Sequence, residues 1–164
     1  AYLIADKDIL RENEFNFIAI KEVAVLFAGI FATMMPALDW LEMNSAKLGI
    51  HSAGQYFWAT GFLSGVLDNA PTYLNFLSAA LGLKQVTVKE MLDQYPIYIK
   101  AISLGAVFFG ALTYIGNGPN FMVKSIAEQL GANCPTFFGY VVKYSLPILV
   151  PIFFIIWYIF FRTT

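Results

Sequence analysis

The sequence predicts an all-α integral membrane protein with three transmembrane helices, one of them broken, and a re-entrant helical hairpin. Two observations carry that reading. Of 164 residues, 59% are hydrophobic, 17% aromatic and only 13% charged, with sixteen Phe; a soluble domain averages roughly 25% charged residues, so lipid is the expected solvent. The second is a pair of polar strings set inside apolar segments, DNAPT at 68–72 and GNGPN at 116–120, each containing Asn and Pro.

Taken in chain order, residues 1–14 carry six charged side chains and read as an aqueous loop. Residues 15–43 form the first membrane helix: 23–38 hold no charge, and with their apolar neighbours they supply the ~20 residues that a ~30 Å hydrocarbon core requires. A polar loop, 44–54, follows. The apolar runs 55–67 and 73–83 have thirteen and eleven residues, about 20 and 17 Å as helix, and neither crosses alone. One continuous helix would hold Pro71 in its interior at a cost of ~3 kcal/mol. Residues 54–83 therefore read as a hairpin that enters, turns at the DNAPT tip and leaves on the same side, tolerated where protein or water surrounds it.

Thr87 and Glu90 have capping-box spacing, so 86–95 is expected as a short interfacial helix. Residues 97–131 are a membrane helix broken at 116–120, with the first half ending at Ile115 and the second beginning near Phe121. Residues 137–162 form the last span, kinked at Pro147 and Pro151, with no charge from Tyr144 to Phe161 and Trp157, Tyr158 and Arg162 at its outer end.

Several function classes drop out. The net charge of −1 offers no basis for binding nucleic acid. The single Cys134 rules out an internal disulfide and a cysteine metal site, and the single His51 removes His-pair sites. No signal peptide is evident. Because the chain opens on Ala1, a fragment of a longer protein is one expectation.

The candidate site gathers at the two breaks. Asp68 is the only charged side chain from Leu48 to Leu83, His51 aside. A carboxylate at mid-bilayer costs about 2.5–3.5 kcal/mol, so it must face protein or water and be neutralised by a cation, a proton or a basic partner. The plainer role is to cap the second hairpin helix. Asn69 and Thr72 offer oxygens for a hard cation or donors for a carboxylate, or else turn chemistry. Gly116, Asn117, Gly118 and Asn120 supply amides and free carbonyls between opposed helix ends, where either sign of charge is held. Lys124, a turn past Asn120, is a possible charge partner for Asp68; it could equally snorkel or pair with Glu128. Two interrupted membrane segments together point to a transporter binding site.

SGVLDNAPTYLNF (64–76) resembles the hairpin tip of the ion transporter superfamily, which includes arsenite efflux carriers, NhaD-type sodium/proton antiporters and citrate or dicarboxylate carriers. GALTYIGNGPNFMVKSIAE (110–128) sits where that family has its broken helix, and FNFIAIKEVAVLFAGIFATMMPAL (15–38) is similar to the helix before the hairpin. The resemblance covers nearly the whole chain, 1–164, as the C-terminal half of a transporter built from two inverted repeats. It implies a missing N-terminal half that completes the site, a homodimer, and a multi-pass place in the inner membrane of a prokaryote. Residues 1–14 would be cytoplasmic and Thr164 outside; Lys and Arg, balanced across the loops, do not decide orientation.

The expected function is secondary transport, foremost sodium/proton antiport with Asp68, Asn69 and Asn117 holding a transported Na⁺ that alternates with H⁺. No cofactor is expected. The first alternative is a citrate or dicarboxylate carrier using the same segments to bind carboxylate. An intramembrane aspartyl protease lacks a second acid at comparable depth, and a non-transporting scaffold remains as the plainest alternative.

Overall fold

Polar residues at the ends of apolar runs set most of the helix boundaries. The structure, a computed structural model, describes Lys7 and residues 18–162; the rest of the expected aqueous segment 1–14, and the expected helix start at residue 15, lie outside them. The chain divides into two compact units, Ala1–Met34 and Met35–Thr164. In the first, α1 (Ile18–Asn44) is already helical, and Thr33 Oγ1 donates back to the carbonyls of Gly29 and Ile30 at 2.9 and 3.1 Å.

In the second unit, a 3₁₀ turn (Ser45–Leu48) ends at Gly49, whose φ of 70° belongs to the left-handed region that glycine tolerates. Helix α2 (Ala53–Ser64) starts in a capping box: Ser52 Oγ accepts from Gln55 N, and Gln55 Oε1 accepts from Ser52 N. A four-residue link, 65–68, leads into α3 (Asn69–Lys84). Asn69 to Thr72 therefore belong to a helix and not to a turn, because Pro71 falls in the first turn, where its missing N–H is not needed. α3 folds back on α2: Tyr56 meets the Phe76 ring at 6.3 Å, and Ser64 meets Asn69 beside the link.

Helix α4 (Val88–Gln94) carries the expected capping box between Thr87 and Glu90. The hydrogen bond from Thr87 N, and then that from its hydroxyl, hold the Glu90 carboxyl below its ordinary value of 4.5. A lowered folded value means the stabilisation is complete above about pH 4.5 and is lost as the pH falls through the folded value. Thermal melts between pH 7 and pH 3 should therefore show a small acid loss that Glu90→Gln removes.

Helix α5 (Pro96–Phe109) opens with proline at its first position. It runs in the same direction as α2: Tyr98 Oη donates to His51 O at 2.7 Å at one end, and Gly61 abuts Phe109 at the other. A Cβ on Gly105 would come within 2.5 Å of Phe57 O, so glycine is what lets these two backbones close up. At the far end of α3, the Lys84 ammonium lies over the rings of Tyr95 and Tyr98 at 5.0 and 4.7 Å.

The expected broken helix over 97–131 is two helices with a wider break between them. α5 stops at Phe109, residues 110–117 are irregular, and α6 (Gly118–Gln129) begins with Pro119 in its first turn. The break thus comes six residues earlier than Ile115, and most of GNGPN serves as a helix start. α7 (Phe137–Phe160) is capped by Thr136 Oγ1, which accepts from Gly139 N. Its middle, Val141–Leu149, is wound as a π-helix around Pro147; proline lacks the N–H and crowds the carbonyl four residues back, which favours the wider winding.

The core is aromatic. Phe109 stacks on Phe153 at 4.1 Å and meets Phe57, Trp58 and Phe62 edge-on at 5.4–5.7 Å. Trp157 reaches Gly54, so α7 runs antiparallel to α2. Among the described residues, α7 is the one helix that is both long and apolar enough to cross a membrane, and only 11% of its apolar window is buried. Phe154, Ile155, Ile159 and other large side chains along it lie open, as contact with lipid requires.

Candidate functional site

The end of α5 inside an apolar region raises a question of accounting. A helix leaves its last four carbonyls without partners, and buried polar groups must be satisfied. Phe108 O and Phe109 O accept locally from Ala111 N and Leu112 N. Ala106 O is reached from the α2–α3 tip: Ser64 Oγ donates to it at 2.5 Å. Beyond the helix end, Asn120 Nδ2 donates to Gly110 O at 3.4 Å and Tyr140 Oη to Ala111 O at 3.2 Å. Side chains from α2, α6 and α7 thus absorb the polarity of the break.

Asn69 is the hinge of this arrangement. Acceptors surround one side of its amide, so Nδ2 donates to Ser64 Oγ at 2.7 Å and to Ala106 O and Gly116 O at 3.1 Å. Its Oδ1 then accepts from Asn117 Nδ2 at 3.2 Å. Thr113 adds a second tie: Oγ1 donates to Gly65 O at 2.6 Å and accepts from the amides of Ile115 and Gly116. The two breaks are therefore docked on each other. A Cβ on Gly110 would fall 2.6 Å from the Asn69 side-chain amide, and one on Gly116 would lie 2.7 Å from the carbonyls of Ser64 and Gly65.

Of the residues singled out in the sequence, Asn69, Gly116 and Asn117 are brought into direct contact. Asn117 Oδ1 is buried and accepts no hydrogen bond among the described residues. Gly118 starts α6 and is exposed, as is Asn120. Asp68 is half-buried, and its Oδ1 accepts from Asn69 N at 2.8 Å at the head of α3. Thr72 is buried with its hydroxyl given to Asp68 O, so it builds the helix start. Asn69 Oδ1, expected as a cation ligand, accepts one hydrogen bond, from Asn117 Nδ2. Of the alternatives for Lys124, the structure shows the pair with Glu128, at 2.5 Å and four residues along the same helix, and not one with Asp68. Ser64 and Thr113 are the participants that sequence reasoning missed; small hydroxyl residues just before each break were the available signal. Among the described residues, no three His, Cys, Asp or Glu side chains gather as a metal cluster would.

Chemically, the site sets two helix N-termini beside one carboxylate, so polar groups of both signs meet at the breaks. No curated protein and no solved structure matches the chain. A family model with the description "Putative citrate transport" matches residues 1–161. Together with the long, apolar and exposed α7, that match makes this a membrane transport protein and not an enzyme, and the chain belongs to this citrate-transport family.

Proposed function

We propose that the protein is a secondary carrier of organic anions of the citrate class, binding its anion where the first turns of α3 and α6 meet. The observation that supports this most is the Asn69–Asn117 contact. It joins the first residue of α3 to the N-cap of α6, so two positive helix ends share one place. Asn117 makes no cap bond to its own helix; Pro119 has no N–H and Asn120 N donates to Asn117 O, so Gly118 N is the first-turn amide that has no partner among the described residues and is open to a carboxylate. The family match points the same way.

In this reading, α2 and α3 are a re-entrant pair. Twelve residues of α2 rise about 18 Å, which carries the tip to mid-depth of a ~30 Å layer. α1 and α7 span, α5 and α6 are halves of a broken span, and α4 lies at the interface. An N-terminal half of the same transporter supplies the opposing tip and break, in a homodimer in the inner membrane of a prokaryote.

One observation favours sodium/proton antiport as a second reading: a carboxylate, Asp68, stands half-buried at the tip. There Asp68 and Asn117 Oδ1 would hold Na⁺ in exchange for H⁺. Reconstituted vesicles separate the two. The carrier reading expects labelled citrate uptake that Asp68→Asn changes by about twofold at most, since Asn caps a helix as well as Asp does. Sodium-driven proton movement without any organic anion, abolished by Asp68→Asn, would establish the antiporter instead.

A further inference from the structure

We propose that the cavity between α6 and the start of α7 is a carboxylate-binding station where an incoming di- or tricarboxylate displaces Glu128 from Lys124. This rests on the organic-anion reading and adds a step to it. The cavity holds about 430 Å³ and is lined by Tyr114, Asn120, Lys124, Tyr140 and Tyr144, within the range of small-molecule sites. The Lys124 ammonium lies 4.9 Å from the centre of the Tyr114 ring and 2.5 Å from Glu128 Oε1. Its side chain is 19% exposed while that of Glu128 is 46% exposed, so the cation belongs to the cavity and its present anion belongs to the surface.

The pair is arranged to be exchanged. Lys precedes Glu along α6, the less favourable order, and Glu128 sits in the last turn, where the helix dipole opposes an anion. An ammonium has three donors, yet two carboxylates compete for one positive charge, so an arriving anion releases Glu128. Tyr140 is fixed by its bond to Ala111 O. The hydroxyls of Tyr114 and Tyr144 make no hydrogen bond among the described residues and are available to a second carboxylate. Asn120 lines this cavity and also bonds Gly110 O, whose glycine abuts Asn69. The station is therefore one side chain away from the site at the breaks.

Calorimetric titration of the detergent-purified full-length protein with citrate tests the exchange. Lys124→Gln should weaken citrate about tenfold, the value of a charge-assisted bond. Glu128→Gln should tighten it about twofold to fivefold by removing the competitor. Tyr144→Phe should weaken it about threefold. If Lys124→Gln fails to fold, the sign of the Glu128→Gln effect decides alone. Unchanged or weakened binding in Glu128→Gln marks an ordinary structural ion pair and overturns the proposal while leaving the carrier reading intact. Absence of citrate binding by the wild-type protein overturns both.

Discussion

Asn69→Leu should reduce citrate uptake about a hundredfold, from a loss of about 3 kcal/mol at the docked breaks. Leucine has similar bulk but no polar atoms. It leaves Asn117 Nδ2 and Gly116 O without their partner and strips Ala106 O of one of its two donors. Each buried group so orphaned costs about 1–3 kcal/mol, and the two helix starts lose the contact that registers them. Uptake in vesicles, alongside thermal melts of the purified variant, checks this. Asn69→Asp is the informative companion. It keeps the acceptor for Asn117 but turns the donor side into an anion facing two carbonyls, and so should be as damaging as leucine. Near-normal uptake by both variants would remove Asn69 from the site.

The second large effect belongs to Gly116. A methyl there would meet the carbonyl oxygens of Ser64 and Gly65 at 2.7 Å, well inside contact distance. Those oxygens are backbone and cannot rotate away, so the break must lift from the tip. Gly116→Ala should cost about 1–3 kcal/mol in stability and lower uptake about tenfold or more, because displacements near 1 Å at a binding constellation are expensive. Gly29→Ala is the matched control: nothing lies within 4 Å of its added Cβ, and alanine is the better helix former. Equal behaviour of the two variants would show that the approach of the breaks does not matter for transport.

How much of this was legible beforehand depends on whether the deciding interaction is local. The Thr87–Glu90 box forms within four residues, and its sequence pattern located α4. The two Asn-Pro strings were visible as interruptions, because proline, glycine and buried amides conflict with an apolar helix wherever they occur. The end of α5 was not visible: AVFFGALTYI reads as helix all the way to Ile115. It stops at Phe109 because Ser64, Asn120 and Tyr140 take up carbonyls there and at the residues beyond, and those partners come from three other helices. The assignment of Asn69–Thr72 to a turn failed for a positional reason, since proline breaks a helix interior but suits a first turn. The Lys124–Glu128 pair was legible because it too is local, a single turn of one helix. The shared corner of Asn69 and Asn117 joins residues far apart in the chain, and periodicity carries no information about such pairs.

The π segment of α7 can be seen as an angular adjustment between two contacts. Tyr140 bonds the break at Ala111, and Phe153 stacks on Phe109, so both must face the same neighbour. At about 100° per residue, the thirteen steps between them in an ordinary α-helix would set the two side chains about 140° apart. The slower turn of Val141–Leu149 brings the two side chains closer to one face. Rewinding this stretch as α-helix would unseat one contact or the other, and so the last helix can hold the break at one end and the aromatic core at the other only while its middle stays loosely wound.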